Sequence, residues 1–212
     1  ARAMTVRQDG EGVVVDTAIP NLSSLSAQLS EGIIFSKGTV LYKPRNIMQG
    51  FDFTDNSHFY YSQGPSNDYC QYLCRTSGPG ASYADYMTLE RFGHMTQIVA
   101  EKASDGRTYI WCNSNGQSTS DGYGENLSFS RIEYKAGTTV SGGYGGETFF
   151  LNKSGHMDLQ VSIDFDARRL LLGTRVSGLS VRYFWIYSLD EILALPLEEI
   201  SCSVRLGSSS SI

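Results

Sequence analysis

No stretch of this 212-residue chain approaches the ~20 consecutive apolar residues that a bilayer-spanning helix requires, which excludes such a helix. Basic charge is not in excess either. Seventeen Lys and Arg stand against 22 Asp and Glu, a net of −5, so the basic face needed for nucleic acid or an anionic membrane surface is missing. Proline is scarce, at 5, which leaves long strands uninterrupted. Only four cysteines occur: Cys70, Cys74, Cys112 and Cys202. Cys70 and Cys74 are four apart, not at the three-residue spacing of a zinc or redox pair, and on one strand they would lie too far apart to bond comfortably. They are expected as buried thiols, although stacked repeats leave bonds to Cys112 or Cys202 open. There is no Gly-x-Ser-x-Gly, no His-Glu-x-x-His and no phosphate loop, so no cofactor, metal or catalytic residue is expected. No secretory leader is visible. The chain opens on Ala1-Arg2-Ala3 without an initiator Met, as a processed form or a fragment would.

Gly (22), Tyr (13) and Phe (10) are plentiful. Tyr and Phe favour strands, and Gly supplies turns. Their arrangement is periodic. Leu89-Glu90-Arg91-Phe92-Gly93-His94-Met95 returns 62 residues later as Leu151-Asn152-Lys153-Ser154-Gly155-His156-Met157, and the register then holds, with Val99 on Val161 and Arg107 on Arg169. A third copy lies 50 residues upstream of the first. It lacks Gly-His-Met but sets Phe51-Asp52-Phe53 against Ile163-Asp164-Phe165. Strand-like repeats of this length are units of a repeat fold.

Each unit reads as a four-stranded meander. The first has strands at 50–53, 58–62, 69–74 and 86–89. The second has 96–102, 108–112, 127–134 and 147–151, with 113–126 as a polar, Gly-rich loop. The third has 159–165, 170–172, 181–187 and 200–206, with a capped helical turn at 188–192. Ile33-Ile34-Phe35 and Thr39-Val40-Leu41-Tyr42 read as leading strands, and 21–30 as one or two helical turns. Four-stranded units of this size are propeller blades. The fold expected is all-β: a β-propeller with about three blades present (33–92, 93–154 and 155–212), preceded by an N-terminal arm or linker at 1–32. Closed propellers need at least ~4 blades, so this one is expected to be incomplete, completed by further chain or by partner chains.

Ile47-Met48-Gln49-Gly50-Phe51-Asp52 followed by Tyr60-Tyr61-Ser62-Gln63 resembles the opening blade of the teichoic acid biosynthesis protein C/helveticin J-like group. So do the Gly-His-Met phrase ahead of a strand and the strand Tyr109-Ile110-Trp111. The resemblance spans roughly residues 33–212. It implies a five-bladed propeller like those in receptor-binding proteins of phages that infect Gram-positive bacteria. It further implies a bacterial surface glycan, such as a teichoic acid or other wall polymer, as partner, and an extracellular or virion location in an oligomeric particle. A secreted bacteriolytic or glycan-cleaving protein, or a structural subunit of a larger assembly, would use the same scaffold. The chain departs from the pattern in its blade count and in carrying Lys43-Pro44 where Gly-His stands in the later units.

Sugar recognition needs flat apolar faces for pyranose C–H groups and polar groups for hydroxyls. Three stretches carry both: Ser120 to Asn126, with Asp121, Tyr123 and Glu125; Gly143 to Glu147, with Tyr144; and Ser82 to Tyr86, with Tyr83 and Tyr86. Each is a candidate recognition loop; for any one of them taken alone, the favoured alternative is that its tyrosine packs over a blade edge. His94 and His156 hold equivalent places and would lie near the mouth of a central channel, facing an anion or polar ligand. Repetition favours the alternative, that each fixes the stacking of neighbouring blades. No carboxylate or Cys follows either at ligand spacing, which speaks against a metal. Trp111 and Trp185 are expected in the core.

Overall fold

A computed structural model describes residues 5–9, 12–16, 42–43, 46–54, 58–64, 70–77, 83–117, 125–151, 155–176, 178–179 and 182–195. They belong to two compact units, Ala1–Ser36 and Lys37–Ile212. In the first unit, β1 (Thr5–Asp9) and β2 (Gly12–Asp16) form an antiparallel hairpin, from Thr5 opposite Asp16 to Asp9 opposite Gly12. Val13-Val14-Val15 is the middle of β2. The helical turns expected at 21–30, the leading strands at 33–35 and 39–41, and the strand at 200–206 lie outside the described residues.

The second unit is all-β apart from one short helix among the described residues, and its sheets are open. Sheet one is the meander β3 (Met48–Phe53), β4 (Phe59–Gln63), β5 (Gln71–Thr76) and β6 (Tyr83–Leu89). Sheet two is β7 (Ile98–Lys102), β8 (Thr108–Gln117), β9 (Glu125–Glu133) and β11 (Glu147–Phe150), all antiparallel. Sheet three is β12 (His156–Asp164), β13 (Arg169–Val176) and β14 (Arg182–Ser188), followed by α1 (Leu189–Leu193). The helix begins as its sequence requires: Ser188 Oγ accepts the Glu191 N–H at 3.3 Å, and Asp190 and Glu191 occupy the first turn.

Two features of sheet two differ from the sequence reading. Residues 113–126 are not one loop. Strand β8 runs on to Gln117 and β9 starts at Glu125, because Asn113, Ser114 and Asn126 are buried in the sheet stack, where the two amide nitrogens donate to the Leu159 carbonyl and Ser114 bonds to neighbouring serines. Ser114, Ser128, Ser130 and Thr148 link their hydroxyls in a row across β8, β9 and β11 at 2.7 Å each. A polar sequence can therefore be strand interior when neighbouring strands supply its partners. The second difference is β10 (Thr139–Val140), which leaves sheet two and pairs in parallel with β6 on the edge of sheet one.

Period-2 alternation gives each sheet two working faces. Tyr60, Leu73, Met87 and Leu89 of sheet one meet Ile98, Ala100, Ile110, Cys112 and Ile132 of sheet two in one core. From the opposite face of sheet two, Val99, Trp111, Phe129 and Phe149 meet Leu159, Val161, Leu170, Leu172 and Tyr187 of sheet three, closed by Leu189 and Ile192 of α1. Phe59, Tyr61 and Cys74 sit on the far face of sheet one, with Phe53, Tyr72 and Tyr86 packed beside them. Cys74 and Cys112 thus belong to different cores; burial pushes the Cys74 thiol up to about 12 and raises that of Cys112 as well.

Candidate functional site

The phrase Gln49-Gly50-Phe51-Asp52 with Tyr60-Tyr61-Ser62-Gln63 is mostly fastening. Ser62 Oγ accepts the Gly50 N–H at 3.0 Å and donates to the Met95 carbonyl at 2.9 Å, joining sheet one to the turn that enters sheet two. Asp52 Oδ2 accepts the Ala100 N–H at 2.8 Å, tying β3 to β7. Burial holds the Asp52 carboxyl above its ordinary range, against the lowering effect of the backbone hydrogen bonds. Gln63, fully buried, accepts from Lys43 N and donates to the carbonyls of Lys43 and Asn46 at 2.9–3.1 Å.

The sequence-chosen residues separate. Asp121 and Tyr123 lie outside the described residues. Tyr83 opens β6, with its backbone opposite Thr76. The stretch Ser82 to Tyr86 is therefore not an exposed loop, because from Tyr83 it is strand. Asp85 there faces Arg75 (3.0 and 2.5 Å) and accepts from Tyr134 Oη at 2.7 Å. Tyr86 stacks on Tyr42 at a 4.0 Å centroid separation and meets Tyr72 edge-on, so its ring is part of the packing on the far face of sheet one. Glu125 is not held out to solvent for a ligand: Arg175 binds both Glu125 and Asp158, linking the start of β9 to sheet three.

The two Gly-His-Met phrases share only their entry. Gly93 and Gly155 both take left-handed φ, 84° and 78°. His156 then enters β12 directly, with Nδ1 2.8 Å from Thr174 Oγ1 and its ring edge-on to Tyr183 and Trp185. His94 is half-buried in an extended turn that reaches β7 only at Ile98. His156 therefore packs within its own sheet rather than facing a channel.

Tyr144 is the sequence-chosen residue that stands out, 54% exposed. Its loop is held from three sides. The strap at 138–140 bonds to sheet one, Thr88 N–H to Thr138 O and Glu90 N–H to Val140 O at 2.9 Å each. Gly143 abuts the Arg91 backbone so closely that a Cβ there would lie 2.7 Å from the Arg91 carbonyl oxygen. The Gly143 carbonyl accepts the Asn115 N–H, and Gly116 N–H donates to Arg91 O at 2.7 Å. Three non-glycine residues in this knot adopt left-handed φ: Arg91 (62°), Met95 (48°) and Asn115 (53°). Such backbone costs of order 1–3 kcal/mol per residue and persists only where the surroundings enforce it. Beside Tyr144 the knot exposes polar groups: Glu90, which accepts from Ser141 Oγ at 2.6 Å, Arg91, and Gln117, whose amide reaches Asn115 Oδ1 at 3.1 Å. Sequence reading passed over Arg91 and Asn115; the available signal was their place next to Gly93 and Gly116, where backbones approach closely.

A second polar feature crosses all four strands of sheet two. Arg131 on β9 bonds Glu101 on β7 at 2.7 and 2.9 Å and Glu147 on β11 at 3.2 Å. Trp111 Nε1 donates to Glu101 at 2.7 Å, and the Arg131 guanidinium lies 3.6 Å over the Tyr109 ring.

No family model matches the chain. No curated protein matches it. Solved structures do. The tail fiber of Staphylococcus aureus phage P68 is similar over 70% of this chain and 28% of its own, at 20% identity and a TM-score of 0.49. A xylan beta-1,4-xylosidase from Bacillus halodurans C-125 is similar over 67% of this chain and 29% of its own, at 11% identity and a TM-score of 0.35. The chain spans less than a third of either neighbour. Among the described residues no helix is long and apolar enough to cross a membrane, and no group of three or more His, Cys, Asp or Glu could hold a metal ion.

Proposed function

We propose that the chain is a carbohydrate-recognising β-domain, that its three stacked meanders are blades of a propeller, and that it reads a bacterial surface polymer from a phage tail fibre or a similar particle. The observation that carries the recognition is the Tyr144 loop. An exposed aromatic face stands on a backbone held by the strap at 138–140 and by the left-handed backbone at Arg91 and Asn115, with carboxylate, guanidinium, amide and hydroxyl groups around it. Pyranose rings offer the complementary surface, C–H groups on one face and hydroxyls at the edge. A platform fixed before binding loses little freedom on engaging its ligand. The propeller reading is supported by the shared strand order of the sheets and by the apolar character of both faces of sheet two. The sequence resemblance adds the partner class.

Binding to purified Gram-positive cell walls and to a glycan array tests the proposal. Tyr144→Ala is expected to weaken binding at least about tenfold, the loss of one aromatic stacking contact, with the unfolding temperature unchanged. A folded wild-type protein that binds neither walls nor any glycan overturns it.

A further inference from the structure

A cavity of about 690 Å³ lies where the ends of β3 and β7 meet the turn between β12 and β13. It falls within the ~300–1,000 Å³ range of small-molecule sites. The Glu101–Arg131 pair is part of its lining. Phe53 and Phe165 contribute apolar wall, and Asp52, Ser104 and Arg168 line it further.

Four of its six charged lining residues are paired in place, and the other two, Asp52 and Lys102, add one charge of each sign. Glu101 is neutralised by Arg131 at 2.7 Å, Arg168 by Asp190 at 2.5 Å, and Asp105 by Arg107 at 3.0 Å. An ionic ligand would approach groups that already have counter-ions and would lose its hydration for little return. Hydroxyl groups face no such barrier. Glu101, 9% exposed, offers about four acceptor positions, of which Trp111 Nε1, Arg131 Nε and Arg131 Nη2 take three. Asp52 spends Oδ2 on Ala100 N–H, and Ser104 is exposed on a turn closed by Gly106 N–H to Ala103 O at 3.0 Å. Paired charges with acceptor capacity left over, set beside aromatic rings, suit an uncharged polyol with apolar C–H faces.

We infer that this cavity is a binding site for a short neutral saccharide. It shares no residue with the Tyr144 loops, so it stands or falls separately from them. The test uses the full chain and isothermal calorimetry with neutral glucose and N-acetylglucosamine oligomers, and with polyglycerol phosphate as the anionic probe. Ser104→Trp fills the cavity from a surface turn, and Asp52→Asn changes its lining at constant size. The expected result is binding of a neutral oligomer, weakened at least tenfold by either variant. The inference is overturned if the wild type binds no neutral oligomer, if it prefers polyglycerol phosphate, or if both variants, folded by circular dichroism, bind as the wild type does.

Discussion

Arg131 illustrates how much one side chain can organise. It faces two carboxylates and a tyrosine ring on three other strands, and its side chain is only 12% exposed. Removing one partner of a buried pair leaves the other charge without compensation, which costs more than the pair's own net worth. Arg131→Met is therefore expected to destabilise the protein by about 3 kcal/mol in urea denaturation. A change below ~1 kcal/mol, the range of a surface pair, would refute the importance given to this network. Asp52 and Asp85 make an opposed pair of titrations. Burial raises the Asp52 carboxyl, so its contribution is present below the unfolded-state value and is lost as pH rises through the folded one. Burial also acts upward on Asp85, but hydrogen bonds from Arg75 and Tyr134 outweigh it and lower the carboxyl. Its contribution is present above the unfolded-state value and disappears as pH falls through the folded one. Urea midpoints from pH 7 to pH 3 should show Asp85→Asn least stable relative to wild type at pH 7, converging in acid. Asp52→Asn should do relatively best at pH 7, and its advantage should shrink as pH falls. Parallel curves for the two variants would contradict both assignments.

Among the elements, the strap at 138–140 matters most for the candidate site. It carries chain from sheet two onto the edge of sheet one and back, and Tyr144 sits on the return. The close approaches that lock this loop depend on missing side chains. A Cβ on Gly116 would lie 2.7 Å from Gly93 Cα, backbone that has nowhere to move. Gly106, at a hairpin tip, has nothing within 4 Å, and only its φ of 84° resists substitution. Gly116→Ala is expected to cost at least about 2 kcal/mol and to disturb Tyr144-dependent binding, whereas Gly106→Ala should cost about 1 kcal/mol and leave binding alone. Equal effects in thermal unfolding and wall binding would argue against the knot as an organiser of the site.

For the second unit as a whole, the decisive fact is that sheet two has a face in each of two cores. Neither core can lose its central sheet without exposing the other, so the unit should unfold in one transition. Phe129→Ala, deep in the core shared with sheet three, is expected to cost about 3–4 kcal/mol. Amide exchange should then accelerate equally at Leu172 in that core and at Leu73 in the other. Protection lost at Leu172 alone would mean that the sheets fold separately. Each outer face also leaves a large side chain open, Phe51 on sheet one at 58% exposed and Phe184 on sheet three at 55%.

The all-β class, the repeated meanders and most strand positions were legible in the sequence, because alternation of apolar residues and Gly-rich turns are local properties. Phe59-Tyr60-Tyr61 reads as a strand with two buried faces before any partner is known, and Ser188 announces the helix that follows it. The glycine-flanked loop marked Tyr144 as a candidate, but packing over a blade edge was favoured for any one such loop, and its exposure was decided by the fold. What only tertiary structure decided is which polar groups are already spent. Glu125, Tyr86 and His156 have the chemistry of ligand contacts, yet Arg175, Tyr42 and Thr174 occupy them, over sequence separations from 18 to 50 residues. The extension of β8 through Asn113 and Ser114 was hidden for the same reason, since hydroxyls and amides mark a loop or a strand interior according to partners elsewhere in the chain. Periodicity is written residue by residue, whereas hydrogen-bond satisfaction belongs to pairs that meet only when the sheets stack.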